Sequence, residues 1–139
     1  YALAESPVVE VGDGDPLDIC VLTDRPISRG DIVLAARPVG GLRMVENREA
    51  DDKIIAVLCG DPSYGDMVEV SDIPRAVIDR LRHYFLTYKA LPGQTNEERI
   101  GEVYGRDHAA TVVRAAMADY DESLAPAARA SETGKASTE

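Results

Sequence analysis

Apolar residues recur along this chain with two periods, and the switch between them divides it. The first half alternates short β-type runs with turns. Residues 17–23 (LDICVLT) are rich in β-branched side chains and end at Asp24-Arg25-Pro26. Residues 31–44 (DIVLAARPVGGLRM) follow the turn Ser28-Arg29-Gly30. Residues 53–59 (KIIAVLC) close at Gly60-Asp61-Pro62. Pro38, Gly40 and Gly41 inside the middle run predict a bulge or sharp bend, as at the corner of a small barrel. Short strands punctuated by turns favour an antiparallel barrel or sandwich. The first twelve residues hold one apolar stretch, at 8–11.

The second half repeats at helical spacing. Ser71-Asp72-Ile73-Pro74 reads as a helix start, a polar cap followed by Pro in the first turn. Val77, Leu81, Phe85 and Tyr88 follow, and Leu91-Pro92-Gly93 stops the run. Residues 98–104 (ERIGEVY) predict a fourth strand. Residues 107–124 predict a second helix with Val113, Ala116, Met117, Tyr120 and Leu124 on one face. The pattern sums to an α+β domain over residues 1–125, a small antiparallel β-barrel with two helices packed against it. Residues 126–139 are small and polar and predict a disordered tail.

Composition narrows the function classes. The chain has 139 residues, 25 acidic against 15 basic, for a formal charge of −10. Such a surface repels phosphate backbones, so nucleic acid is a disfavoured partner. No apolar run reaches the ~18–20 residues of a membrane span, and no signal-peptide pattern is present, so no membrane is expected. Cys20 and Cys59 sit in apolar runs and fit a reduced, cytoplasmic protein better than a disulfide scaffold or a zinc site.

The chemistry concentrates in two acidic groups. Asp13-Gly14-Asp15-Pro16-Leu17-Asp18 places three carboxylates at the mouth of a strand. Like charges this close persist when a cation neutralises them, or when they are solvated on an ordinary turn. An EF-hand loop counted from Asp13 fails at Leu17, Asp18 and Asp24, where the motif needs an oxygen ligand, Gly and Glu. The second group runs from Glu46 through Glu49 to Asp51 and Asp52, just before the strand that opens with Lys53. Carboxylates from two such loops converging would make an all-oxygen site for a hard cation such as Mg²⁺. Lys53, Arg43 and the pair Tyr88-Lys89 are spaced to rim that site and orient an anion, the arrangement phosphoryl transfer needs. Lys89 near a helix end also has an ordinary macrodipole role. His83 and His108 read as packed or solvated helix residues.

These motifs, taken in order, resemble the soluble family I inorganic pyrophosphatases. The acidic hexapeptide from Asp13 to Asp18 resembles that family's signature. Arg37-Pro38-Val39-Gly40-Gly41-Leu42-Arg43-Met44 resembles the strand before its second acidic loop, and Asp51-Asp52-Lys53-Ile54-Ile55-Ala56-Val57 the segment after it. His83-Tyr84-Phe85 with Tyr88-Lys89 resembles its phosphate-binding helix end. The resemblance covers about residues 12 to 90. It implies an OB-like five-stranded barrel and Mg²⁺-dependent hydrolysis of pyrophosphate to two phosphates. It further implies Asp13, Asp18, Glu46 and Asp51 as metal ligands, and Asp15 as the catalytic carboxylate on the nucleophilic water. Lys53, Tyr88 and Lys89 would hold phosphate oxygens. The family also forms homo-oligomers, commonly hexamers in bacteria. The alternative function is a catalytically impaired barrel that binds divalent cations or phosphorylated ligands.

Two departures bear on that alternative. Glu46 stands where the family usually has Asp, and a ligand displaced by ~1 Å can cost on the order of a hundredfold in rate. The family's early metal-shell Glu and its phosphate-binding Lys, Arg and Tyr are not placed on residues 1–12: Glu5 and Glu10 are available there, but no Lys or Arg precedes Arg25. The expectation is a chain that starts at Tyr1 without its N-terminal segment.

Overall fold

A computed structural model describes residues 11–12, 14–46, 49–89 and 99–133. Among the described residues six strands form one sheet: β1 (Val11–Gly12), β2 (Asp18–Leu22), β3 (Ala36–Glu46), β4 (Glu49–Ala50), β5 (Lys53–Leu58) and β6 (Arg99–Gly105). Two α-helices among the described residues accompany it, α1 (Arg75–Thr87) and α2 (Arg106–Thr133). The long β3 is the spine. β5 and then β4 pair antiparallel along one of its edges, and β6 pairs antiparallel along the other.

The sheet is mixed, which corrects the antiparallel expectation. β2 runs parallel to β5 with Asp18 opposite Lys53, and β1 runs parallel to β4. A parallel pair needs a long crossing connection, and the thirty residues between β2 and β5, with β3 among them, supply it. Among the described residues no pairing joins the β2 edge to the β6 edge.

β5 reads as a continuous apolar run because both of its faces are covered. Ile55 and Val57 face one cluster with Val39, Leu42, Ile78 and Phe85, under α1. Ile54 faces a second cluster with Tyr104, Ala109 and Val112, under α2. Full burial of each such large side chain contributes about 1.5–3 kcal/mol. The two glycines of β3 make room for close neighbours. A side chain at Gly41 would occupy the space of the Tyr104 ring, and one at Gly40 would meet the Tyr104 carbonyl and Val70. The pairing of β3 with β5 shifts register between Pro38 and Gly40, the bulge that the Pro-Gly content predicts.

Several boundaries differ from the sequence expectation. β3 begins at Ala36, not at residue 31. β5 ends at the Gly60 turn, and the Cys59 N–H donating to the Ala35 carbonyl at 2.9 Å is the outermost bond of that edge. Ile32, Val33 and Leu34 are consequently exposed. Asp72 caps a 3₁₀ turn (Val70–Asp72), its carboxylate accepting the Val68 and Glu69 N–H groups at 2.9 Å each, and Pro74 takes the cap position of α1. Among the described side chains of α2 the buried positions are Ala109 and Val112, while Met117 and Tyr120 are exposed. α2 also continues over residues 126–133, where the sequence predicts a disordered tail. Residues 134–139 lie outside the described residues.

Asp61 ties the β2 end to the turn after β5. Its carboxylate accepts N–H bonds from Asp24 at 2.8 Å and from Ser63 and Tyr64 at 2.9 Å. The Asp24 N–H above all, then those of Ser63 and Tyr64, holds the Asp61 carboxyl below the usual range.

Candidate functional site

The parallel register decides where the acidic groups meet. Parallel strands begin at the same end of the sheet, so the loop entering β2 and the turn entering β5 lie side by side. Asp18 and Lys53 are register partners there. Lys53 Nζ donates to Asp18 Oδ2 at 2.5 Å and also to Asp51 Oδ1. Asp51 reaches it because residues two apart in an extended chain share a face. The ammonium is 2% exposed, whereas Asp18 is 65% exposed and Asp51 12%. Burial by itself pulls the Lys53 ammonium down, and hydrogen bonds to Asp18 and Asp51 outweigh it, leaving the group above its ordinary value. The thiol of Cys20, two residues along β2, is pushed up by burial first and by the Asp18 charge second.

α1 brings the cationic, aromatic edge. The Phe85 ring centroid lies 5.8 Å from Lys53 Nζ. Tyr88, at the helix end, packs edge-on to Phe85 at 5.8 Å and stacks on Tyr84 at 5.3 Å. Lys89 Nζ stands 5.4 Å from the Tyr88 ring centroid. Tyr88 and Lys89 are exposed; Phe85 stands between Tyr88 and the buried ammonium, and Lys89 lies against Tyr88.

The predicted residues thus divide. Asp18 and Asp51 both bond to Lys53, Tyr88 is linked to it through Phe85, and Lys89 lies against Tyr88. Asp15 is exposed on the loop before β2, where Gly14 takes a positive φ of 78°. Asp13 lies outside the described residues. Glu46 ends β3 with its backbone opposite Glu49, and its side chain lies outside the description. Among the described residues no three carboxylate, imidazole or thiol groups gather into a metal-holding cluster. Arg43 is not part of the rim. It alternates with Leu42 and Met44, so it points to the α2 face, where its Nη2 lies 3.2 Å from His108 Nε2. His108 packs edge-on to Tyr104 at 4.5 Å. His83 is an exposed α1 residue, as expected.

One residue escaped the sequence reasoning. Asp52, between Asp51 and Lys53, points to the opposite face and is 5% exposed. Its Oδ1 accepts the Met44 N–H at 3.1 Å, and its Oδ2 accepts the Tyr104 hydroxyl at 2.9 Å. Burial, then the Asp52 charge and hydrogen bond, pushes the Tyr104 phenol well above its usual value. Strand parity carried the signal: if Asp51 and Lys53 share the site face, Asp52 falls on the apolar one and needs partners there.

Asp18 and Asp51 offer oxygen donors only and already share one cation. That donor set fits a hard divalent ion, which takes oxygen ligands.

Comparison with known proteins agrees with the motifs. The family model described as inorganic pyrophosphatase matches residues 2–121. The inorganic pyrophosphatase of Chlamydia muridarum is 51% identical over 114 residues, covering 78% of this chain and 54% of the relative. That of Chlamydia caviae is 49% identical over 114 residues. The chain therefore spans about half the length of the curated relatives it matches. Among solved structures, the inorganic pyrophosphatase from Thermus thermophilus superposes with a TM-score of 0.71 at 34% identity, covering 83% of this chain and 66% of that one. No described helix is long and apolar enough to cross a membrane.

Proposed function

Because the chain belongs to the inorganic pyrophosphatase family, we propose that it serves Mg²⁺-dependent hydrolysis of inorganic pyrophosphate to two phosphates. The observation that carries the reading is the convergence of Asp18 and Asp51, from separate acidic segments, on the buried Lys53 ammonium. Asp13, Asp18, Glu46 and Asp51 are the proposed metal ligands. Divalent ions held by such carboxylates supply neutralisation of phosphate charge and a water of lowered pKa.

The chain's own residues do the rest. Asp15, exposed on the same loop as Asp18, orients that water and takes its proton. The water oxygen bonds to one phosphorus as the bridging P–O bond breaks, and the second phosphate leaves with the bonding electron pair. Among the described residues two of the three Lys53 N–H donors go to Asp18 and Asp51, and the third is the proposed donor to a phosphate oxygen. Tyr88 and Lys89 take oxygens of the outer phosphate. An OB-like closure of the sheet, homo-oligomeric assembly and a cytoplasmic location belong to the same proposal.

The test is phosphate release from pyrophosphate with and without Mg²⁺. The expected result is Mg²⁺-dependent release that Asp15→Asn lowers by about a hundredfold or more while Mg²⁺ affinity holds. Pyrophosphate binding in a calorimeter without any release refutes hydrolysis and leaves a phosphate-binding module.

A further inference from the structure

We propose that Asp52 is a positioning residue, which anchors the turn at residues 51–53 from behind so that Asp51 and Lys53 face Asp18. Two hydrogen bonds frame this turn from β3. The Asp51 N–H donates to the Met44 carbonyl at 3.1 Å, and the Met44 N–H donates to Asp52 Oδ1 at 3.1 Å. The second bond uses a side chain where a strand ladder would use backbone. The regular pairing stops at Ala50 opposite Val45 and resumes at Lys53 opposite Leu42. Residues 51 and 52 are the gap in that edge, and the Asp52 carboxylate bridges it.

The other carboxylate oxygen fixes the turn to β6. The Tyr104 hydroxyl reaches Asp52 Oδ2 at 2.9 Å, and the bare Cα of Gly41 gives the Tyr104 ring its place. The Asp52 side chain thus spans β3 and β6 on the α2 face, while its neighbours Asp51 and Lys53 work on the α1 face. A buried carboxylate with both oxygens satisfied tolerates little reorientation, because any swing leaves a desolvated oxygen unpaired. With Asp52 fixed, the peptide units on either side are fixed, and so are the directions of the Asp51 carboxylate and the Lys53 ammonium. Partners behind a ligand are typically worth about 10–100-fold in metal affinity.

For what the turn binds, this inference rests on the pyrophosphate reading, so two readouts are needed on the 139-residue chain. The first is Mg²⁺ affinity by calorimetry. The second, independent of any metal, is the Lys53 ammonium proton resonance by NMR, which persists only while the group is held and shielded from exchange. Asp52→Ala is expected to weaken Mg²⁺ binding about tenfold or more and to broaden the Lys53 signal at temperatures where circular dichroism shows a folded chain. Asp52→Asn keeps an oxygen for the Met44 N–H and an amide for the Tyr104 oxygen, and should restore both readouts. Tyr104→Phe keeps only the Met44 bond and should fall between.

An unchanged Lys53 signal in both Asp52→Ala and Tyr104→Phe overturns the inference, whatever happens to stability. Asp51→Asn separates the two ideas. If it leaves Mg²⁺ affinity at the wild-type value, the metal-site reading fails, and the Lys53 signal still decides the role of Asp52. If Asp51→Asn abolishes binding while Asp52→Ala retains both readouts, the site stands and the positioning role falls.

Discussion

Replacing Lys53 by Met keeps a side chain of similar length in the same slot and removes one positive charge. In the native chain that charge lies 2.5 Å from Asp18 and also serves Asp51. The two carboxylates lose it unequally. Asp18, 65% exposed, can be solvated; Asp51, 12% exposed, loses a cationic partner where little solvent reaches it. Breaking a buried pair by deleting one partner costs about 3–5 kcal/mol. A sulfur contact with Phe85 returns about 0.3–1.5 kcal/mol. The net expectation is a loss of about 2–4 kcal/mol at neutral pH. Urea unfolding followed by circular dichroism measures it. Adding Asp51→Asn removes the carboxylate charge that Lys53 offset, and the double variant should regain about 1–2 kcal/mol, within the range of coupled neighbours. A loss below about 1 kcal/mol, the level of an exposed ion pair, would refute the buried-pair argument. So would a loss that Asp51→Asn leaves untouched.

Two further outcomes follow from groups away from the site. Three backbone N–H groups depress the Asp61 carboxyl, so its contribution is present above the unfolded value near 3.8 and is lost as pH falls through the folded one. Asp61→Asn should therefore flatten the acid limb of a stability-against-pH series; acid limbs of equal slope would contradict the proposed knot. Tyr104 is shifted the other way, so its contribution is present below the ordinary tyrosine value and is lost as pH rises through the folded one. In an alkaline absorbance titration of the six tyrosines, one phenol should ionise only as the chain unfolds. Tyr104→Phe should delete that late component, and its survival would assign it elsewhere.

Much of the architecture was readable from period alone. Residues 17–23 and 53–59 announce strands by their β-branched density, and Phe85 marks the buried face of α1. Strand direction was not readable, because a period of two looks the same in parallel and antiparallel pairs. The apolar run at 32–34 imitates strand, but whether it pairs depends on where β5 stops, at Leu58, 24 positions after Leu34. Asp18, Asp51 and Lys53 were legible as chemistry. Their mutual contact was not, since it depends on a register between segments 35 residues apart. Arg43 was misassigned to the site rim because spacing along a strand does not tell which face a bulged strand presents. Asp52 was legible only as one more carboxylate of the second acidic group; its turn to the opposite, buried face depends on the strand parity that Asp51 and Lys53 set.

The parallel β2–β5 lane has a consequence for how related sequences can vary. Opposite faces alternate residue by residue, so inserting or deleting a single position within Asp18–Leu22 turns Asp18 away from the Lys53 ammonium while the strand itself still pairs. Length changes in the surface connection at residues 25–34, between the Asp24 and Ala35 hydrogen bonds, carry no such penalty, since the strand ends stay in register. Tolerance to indels should therefore change abruptly at the end of β2, with a rigid five-residue stretch abutting a permissive one.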